Sequence, residues 1–292
     1  MMDRKRFLSC AGWFGMGLGW TLAGGLPVLA EAKPGEFSFV QISDSHLGFT
    51  GTANADVEVT FREALARIAA LPQRPDFVVH TGDVTHLSKP EQFALARDIL
   101  AQAKTELIVL PGEHDLIGDK GAAFFQAFGR RDAADGWFSF ENNGVHFVTL
   151  INVRAFEGMG KLGADQLAWF ERDLAHLSSD MPLVLFAHVP LFAVYPAWGW
   201  STADATAAMA MTKRFASVTV LNGHIHQIQQ SVEGNARFYT ARGTAYPLPA
   251  PGQGDHPAPV TLAAAELRRV LGYRTVEIAP VGDARVSDTP FA

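Results

Sequence analysis

Short motifs of acidic residues and histidines recur along this 292-residue chain. Carboxylates offer oxygen ligands and imidazoles offer nitrogen ligands, so a set of them brought together can hold divalent metal ions. A pair of metals also needs a bridging ligand, which an Asp carboxylate supplies because it has two oxygens. The candidate ligands are Asp44, His46, Asp83, Glu113, His188, His224 and His226.

Taken one at a time, these residues have simpler explanations. A single histidine is more often a structural residue than a ligand, and Asp44 or Asp83 alone suits an Asx turn or a helix N-cap. Their joint placement is harder to explain by packing, because the motifs follow predicted buried strands. The carboxyl ends of strands in an open α/β sheet converge on one crevice, so we expect the motifs to meet there.

Alternating apolar runs and helical patterns predict the elements that position the motifs. The first part of the chain has the order strand, helix, strand, helix, strand, which is typical of parallel strands joined by crossovers. Its predicted strands are 37–42, 76–80 and 107–110, and its helices are 61–71 and 91–103. The second part has predicted strands at 137–141, 145–152, 183–186 and 218–221, and helices at 165–177 and 203–215. Strands at 238–240 and 275–278 are expected to form the edge of a second sheet.

Five motifs resemble, in their order, those of the calcineurin-like metallophosphoesterase family over about residues 37–245. They are Asp44-Ser45-His46, Gly82-Asp83, Gly112-Glu113-His114-Asp115, Ala187-His188 and Gly223-His224-Ile225-His226. The resemblance implies an α/β fold, a four-layer αββα sandwich of two mixed sheets, with a dinuclear metal centre. It implies a first metal held by Asp44, His46 and His226, a second held by Glu113, His188 and His224, and a bridge from Asp83.

The motif spacing is most similar to that of the small cyclic-nucleotide and glycerophosphodiester phosphodiesterases of this family. The purple acid phosphatase branch fits less well, because its Tyr ligand follows the Gly-Asp motif, where this chain has Val84-Thr85-His86. The resemblance implies attack on a small phosphate ester by a hydroxide held between two metals. His114 stands where the family keeps a non-ligand histidine, so it would donate a proton to the leaving alkoxide. Asp115 would orient this loop or act as a helix N-cap.

Glu113 departs from the family, which usually has Asn at this position. The carboxylate adds a third negative charge against the charge of two divalent ions. The weaker positive charge predicts a preference for phosphodiesters over dianionic monoesters, and for manganese or iron, with zinc or magnesium as alternatives. Alternatively, Glu113 reaches past a weak second site, and the protein is an inactive metal-binding or ligand-sensing protein of the cell envelope.

Aromatic residues and one long loop are candidates for the walls of the site. Phe192, Tyr195, Trp198 and Trp200 either stack on a base or aryl group of the substrate or pack their own loop. Segment 246–259 forms either a rim over the site or a solvated surface loop.

The remaining histidines differ in their expected roles. His80 and His86 flank the Gly82-Asp83 turn and are candidates to hold metal ligands in place. For His146 and His176 the sequence supports only structural roles.

The N-terminus has the composition of an export signal. The basic residues Arg4-Lys5-Arg6 precede an uncharged stretch over 7–30, and small residues at Ala30 and Ala32 predict cleavage after Ala32. Arg4-Lys5-Arg6-Phe7-Leu8 resembles a twin-arginine signal, which predicts a periplasmic or other extracytoplasmic location. The alternative is an uncleaved anchor, and membrane contact is expected only in that case.

Composition favours one globular domain over 33–292. The chain is 48% hydrophobic and 18% charged, which suffices for a large core, and no linker or repeat divides it. A net charge of -6 argues against nucleic-acid binding, which normally requires a basic face. The single cysteine, Cys10, lies in the predicted signal, so the mature chain would have no disulfide. No feature of the sequence predicts an oligomeric state.

Overall fold

The computed structural model describes residues 37–130, 132–133, 135–279 and 284–292, together with the backbone of two short strands near the N-terminus. These strands, β1 (Trp20–Ala23) and β2 (Leu26–Leu29), pair antiparallel. Both lie in the predicted export signal, and the rest of that segment is outside the described residues. Among the described residues, no helix is long and apolar enough to cross a membrane.

The elements that follow alternate between strands and helices. The strands are β3 (Phe37–Ile42), β4 (Phe77–His80), β5 (Glu106–Val109), β6 (Phe138–Asn142), β7 (Val145–Thr149), β8 (Leu183–Ala187), β9 (Val218–Asn222), β10 (Gln230–Glu233), β11 (Ala236–Thr240), β12 (Gly272–Ile278) and β13 (Ala284–Pro290). The helices are α1 (Val57–Ala69), α2 (Pro90–Leu100), α3 (Ala122–Phe128), α4 (Ala164–Leu174), α5 (Ala205–Thr212) and α6 (Ala264–Val270). Short 3-10 turns occur at Ala101–Ala103, Glu113–Leu116 and Pro196–Trp198.

Two mixed sheets form the centre of the fold. The first has five strands in the order β13-β12-β3-β4-β5, with β3, β4 and β5 parallel. The second has six strands in the order β10-β11-β9-β8-β7-β6, with β11, β9, β8 and β7 parallel. Helices cover the outer face of each sheet, which confirms the predicted αββα sandwich.

The alternation of side chains along β3 shows how the layers are held together. Phe39 points into the space between the sheets, where its ring makes edge contacts at 5.7 Å with Phe147 and Phe186 of the second sheet. Val40 and Ile42 point the other way, into the core beneath α1 and α2. Both faces are fully buried, so the strand is apolar throughout most of its length and ends where polar residues begin.

The prediction for the last strands was wrong in part. The segment at 275–278 belongs to β12, which lies beside β3 in the first sheet and not at the edge of the second. Local apolar pattern predicts a strand but not its neighbours in the sheet. The sequence also missed α3 and α6, because helices of seven residues are too short to show a clear apolar period.

Candidate metal centre

The candidate ligands lie at the carboxyl ends of strands from both sheets. The crevice therefore forms where strands of two stacked sheets end, whereas the strand pattern alone predicted the edge of one open sheet. The loop after β3 carries Asp44 and His46, those after β4 and β5 carry Asp83 and Glu113, and those after β8 and β9 carry His188, His224 and His226. The structure brings all seven side chains together.

The seven side chains form two groups around one shared carboxylate. In each group the possible ligand atoms lie within 4.8 Å of one another. The groups are Asp44, His46 and His226, and Glu113, His188 and His224. Asp83 Oδ2 lies 3.4 Å from His46 Nε2 and 3.5 Å from His188 Nε2, so one oxygen contacts an imidazole of each group. This is the position that a bridging ligand requires.

Unpaired buried atoms make these groups suited to cations. Asp44 Oδ2, Glu113 Oε2, His188 Nε2 and His224 Nε2 are buried without a hydrogen-bond partner. Glu113 Oε2 and His188 Nε2 are 3.0 Å apart, but they do not have the geometry of a hydrogen bond. An unsatisfied buried polar atom costs about 1–3 kcal/mol. Divalent ions among these oxygens and nitrogens would supply the partners, so the residues fit a metal pair.

Backbone carbonyls fix the orientation of two candidate imidazoles. His188 Nδ1 donates to Thr81 O at 2.7 Å, and His226 Nδ1 donates to Tyr246 O at 2.6 Å. In both rings Nδ1 is therefore the nitrogen held by the backbone, and Nε2 is left on the side of the neighbouring carboxylates, where it can lose its proton to bind a metal. Such contacts set the tautomer and the ring plane of a metal-binding histidine.

Five candidate ligands have a left-handed backbone conformation. The φ angles are 53° at Asp44, 40° at His46, 53° at Asp83, 71° at His224 and 53° at His226. Residues other than glycine rarely adopt this region, and each instance costs of order 1–3 kcal/mol. Two of these turns are held by bonds between the loops, from Asp44 N to Gly82 O at 3.0 Å and from His46 N to Asp83 O at 2.9 Å. Strain of this kind is typical of functional sites.

Gly82 permits the close approach of the loops that carry Asp83 and Glu113. Its φ of +105° lies in the region that favours glycine, and an added Cβ would lie 2.8 Å from Gly112 N. A side chain here would also meet the His188 ring. The Gly-Asp motif therefore has a steric reason as well as a chemical one.

Asp115 ties these two loops together. Its carboxylate accepts hydrogen bonds from the N–H groups of Val84, Thr85 and Gly112 at 2.8–3.0 Å, and from the Thr85 hydroxyl at 2.8 Å. Of the two roles that the sequence left open, the structure favours loop orientation, because three of the four donors belong to the Asp83 loop. Burial and the nearby Asp83 carboxylate raise the pKa of Asp115 to about 7 despite these donors.

In the metal-free protein, imidazoles balance the buried carboxylates. Burial alone would raise the pKa of Asp44, but the His226 imidazole lowers it to about 2. Burial would also raise the pKa of Glu113, but His224 is the main contact that holds this pKa well below its usual value. Metal ions would take the place of protons on the imidazoles, so metal binding is expected to weaken as the pH falls.

His80 and His86 support the candidate ligands in different ways. His86 Nδ1 lies 3.3 Å from His46 Nδ1 and so contacts a candidate ligand directly. His80 contacts the backbone between ligands, because Gly82 N donates to its Nδ1 at 3.3 Å and its Nε2 lies 3.0 Å from Ser45 Oγ. Burial lowers the pKa of His80 to about 3, so this ring is neutral.

His114 lies beside the first group of ligands. Its Nδ1 donates to His86 O at 2.9 Å, and its ring stacks on the His86 ring at 4.8 Å. Burial would lower the pKa of His114, but the Asp83 and Glu113 carboxylates raise it above its usual value. Because Nδ1 is engaged by the His86 carbonyl, Nε2 is the nitrogen left for other contacts.

A cavity of about 340 Å³ lies over the two ligand groups. Apart from the ligands, His86, His114 and Gly158, its lining is apolar and aromatic, with Phe156, Trp198, Trp200, Tyr246, Leu248, Pro257 and Pro259. The predicted rim at 246–259 thus contributes four of these residues. Among the aromatics predicted for the wall, Trp198 and Trp200 line the cavity. Phe192 packs on Phe238, and Tyr195 packs on Trp198.

Phe156 was not predicted as part of the site, and for Tyr246 the rim was predicted but its contact with a candidate ligand was not. Phe156 lies in an irregular loop without a motif, and its ring meets the His224 ring at 5.9 Å. Tyr246 stacks on His46 at 4.9 Å. Aromatic residues carry no spacing signal that separates a cavity wall from a packed loop, so the sequence had no means to find these contacts.

Comparison with known proteins identifies the family. The calcineurin-like phosphoesterases match residues 37–228. The glycerophosphodiester phosphodiesterase GpdQ of Enterobacter lignolyticus is 26% identical over 208 residues, 66% of this chain and 71% of that protein. A probable cyclic nucleotide phosphodiesterase of Rhodococcus erythropolis is 25% identical over 223 residues, 73% of this chain and 72% of that protein.

Solved structures agree with the fold. A dimetal phosphatase from Danio rerio superposes with a TM-score of 0.62 at 14% identity, over 88% of this chain and 96% of that chain. Purple acid phosphatase PPD1 from yellow lupin superposes with a TM-score of 0.63 at 11% identity, over 87% of this chain and 51% of that chain. At such identity the likeness concerns the fold alone. The match over most of the sandwich and the ordered motifs show that the chain belongs to the calcineurin-like phosphoesterases, hydrolases of phosphoric ester bonds.

Proposed function

We propose that this protein hydrolyses phosphodiesters with two divalent metal ions. In this reaction a water oxygen bonds to phosphorus, the P–O bond to one ester arm breaks, and a phosphomonoester and an alcohol are released. The ions would polarise the phosphate and lower the pKa of the attacking water. The proposed ligands are Asp44, His46, Asp83, Glu113, His188, His224 and His226. The two relatives named as phosphodiesterases support this reaction class.

The observation that carries the preference for diesters is the charge of the cavity. Three of the seven candidate ligands are carboxylates, and among its described lining residues none is Lys or Arg. A dianionic monoester would therefore meet less positive charge than in a site with an amide at position 113. A diester carries one negative charge at phosphorus and needs less compensation.

His114 is the proposed proton donor to the leaving group. Its Nδ1 is engaged by the His86 carbonyl at 2.9 Å, which leaves Nε2 to face a substrate in the cavity that His114 lines. Burial would lower the pKa of His114, but the Asp83 and Glu113 carboxylates raise it above its usual value, which favours the protonated ring. Transfer of that proton to the departing oxygen would yield a neutral alcohol.

The proposed metals are manganese or iron, because Glu113 adds a third carboxylate to the ligand set and these metals readily accept oxygen ligands. The proposed location is the periplasm or an equivalent extracytoplasmic space, reached through the twin-arginine-like signal. The mass of the exported protein tests the proposed export and cleavage of the signal. A mature chain that starts at Lys33 would support it, whereas a mass that includes residues 1–32 would favour a retained anchor.

The function is tested with protein stripped of metal and reloaded separately with manganese, iron, zinc or magnesium. Turnover of a chromogenic phosphodiester is compared with that of the matching monoester. We expect metal-dependent turnover with a preference for the diester, and loss of turnover in Asp83→Asn, which weakens the bridging position. Absence of turnover with every metal, in protein shown to be folded and loaded, would instead favour an inactive metal-binding protein of the envelope.

A further inference from the structure

A second cavity adjoins the cavity over the metal ligands. It has a volume of about 370 Å³, and the two cavities share Glu113, His114 and Phe156. Its other lining residues are Leu116, Ile117, Lys120, Val153 and Arg154. The shared residues include one candidate metal ligand and the proposed proton donor, so the site of P–O cleavage would lie where the cavities meet.

The two cavities differ in charge. The first has an apolar and aromatic wall and no Lys or Arg among its described lining residues, whereas the second contains both Lys120 and Arg154. A phosphodiester held at the junction would thus extend one ester arm along each wall. The arms would meet opposite environments, one suited to an apolar or aromatic group and the other to a negative charge.

Neither cation of the second cavity is neutralised by a carboxylate in the described part of the chain. Arg154 donates to the backbone carbonyl of Asp135 at 2.8 Å and lies over the Phe125 ring at 4.6 Å, contacts that leave its charge uncompensated. Lys120 follows Asp119, whose carboxylate is already engaged by the backbone N–H groups of Gly121 and Ala123. Both cations are available to an anion from the substrate.

We propose that Lys120 and Arg154 form an anion subsite for one arm of the substrate. This inference rests on the proposed phosphodiesterase function and defines its substrate class. The substrate is an asymmetric phosphodiester with an apolar or aromatic group on one ester oxygen and a carboxylate or phosphate group on the arm attached to the other. Lys120 and Arg154 act in binding and take no part in cleavage.

The test compares two 4-nitrophenyl phosphodiesters whose second arm is either 3-carboxypropyl or its neutral methyl ester. We expect wild-type kcat/KM to favour the carboxylate about fivefold, the size expected from two partly exposed ion pairs. A 3-phosphopropyl arm shows whether carboxylate or phosphate is preferred. Lys120→Gln/Arg154→Gln should abolish the preference, because kcat/KM for the charged arms falls to the value for the methyl ester. The matched control is Arg172→Gln/Lys213→Gln, which removes the same charge from two exposed positions, one on α4 and one directly after α5, and should preserve the preference.

Binding is measured separately from turnover with phosphinate analogues, in which methylene groups replace both bridging ester oxygens. Calorimetry on the metal-loaded protein should give about fivefold tighter binding of the carboxylate analogue, lost in Lys120→Gln/Arg154→Gln. Equal binding of both analogues by the wild type would overturn the subsite, even if turnover is fast. Retained binding preference without turnover would count against the proposed function alone. If the double variant lowers kcat/KM equally for the charged and the neutral arm, the two cations act at the scissile phosphate, and the inference is overturned.

Discussion

Glu113 Oε2 lies 3.0 Å from Nε2 of His188. The other carboxylate oxygen of Glu113 lies 3.0 Å from Nδ1 of His224, so the carboxylate spans the second ligand group instead of reaching past it. This geometry favours a functional second metal site over the weak or empty site that the sequence left as an alternative. It also places the extra negative charge of this chain beside the position expected for the phosphate.

Glu113→Asn should change the substrate preference. Asn keeps an oxygen ligand but removes one negative charge, so the site should attract dianionic monoesters more strongly. We expect the ratio of monoester to diester kcat/KM to rise about tenfold, which corresponds to about 1.4 kcal/mol. Glu113→Gln is the control of equal length. An unchanged ratio in both variants would contradict the charge argument, whatever happens to the absolute rates.

Asp115→Asn should destabilise the protein. The carboxylate accepts four hydrogen bonds from two loops, and an amide nitrogen in place of one oxygen cannot accept. We expect a loss of about 2–4 kcal/mol in the free energy of unfolding, since buried donors are left unpaired. Urea denaturation of metal-free protein measures it. Thr85→Val removes one of the four donors and should lower the free energy of unfolding by only about 1 kcal/mol. Equal losses in both variants would contradict the role of Asp115 in holding the two loops together.

The sequence predicted the candidate ligands because the chemistry restricts their residue types. Asp44, Asp83 and His188 must be carboxylates or imidazoles at strand ends, and such restrictions leave a motif. The central strands were also predictable, since β3 and β4 are buried on both faces and therefore apolar. The two-sheet sandwich was predicted only through the resemblance to the family. The position of β12 beside β3 was not predicted, because it depends on contacts between distant segments.

Part of the cavity lining was not predicted, for a different reason. Phe156, Lys120 and Arg154 lie in irregular segments, and their role depends on where the chain folds and not on their spacing. The left-handed backbone of His46 and His224 could not be predicted from the sequence either, because φ angles of 40° and 71° are imposed by the surrounding loops. The residue type alone does not indicate a strained backbone conformation.

His86→Phe should weaken metal binding at the first site. His86 Nδ1 lies 3.3 Å from Nδ1 of His46, and its ring stacks on His114 at 4.8 Å. Phe keeps the ring for stacking but removes the nitrogen, so His46 loses the contact that fixes its plane. We expect metal affinity to fall about 10- to 100-fold, measured by competition with a chromogenic chelator.

The control for His86→Phe is His176→Phe. His176 is exposed and was given only a structural role, so its replacement should leave the affinity unchanged. A metal affinity in His86→Phe equal to that of the wild type would show that His46 is held in place by its other contacts. The stacked Tyr246 ring would then be the next candidate.

His80 should make the protein less stable in mild acid. Burial lowers its pKa from 6.5 to about 3 in the folded state, so between these values the unfolded chain binds a proton that the folded chain does not. Stability from this residue is therefore complete above pH 6.5 and is lost as the pH falls towards 3. The expected contribution to the slope is about 1.4 kcal/mol per pH unit.

His80→Asn isolates this contribution, because Asn does not titrate and its side-chain oxygen can still accept from Gly82 N. The variant should lose about 1–2 kcal/mol at pH 7.5, since the contact with Ser45 is removed. Below pH 6 its unfolding free energy should fall less steeply than that of the wild type. Other titrating groups are common to both proteins and cancel in the difference. If the unfolding free energies of both proteins change in parallel across pH 4.5–7.5, His80 is protonated in the folded state. That result would contradict a buried neutral ring.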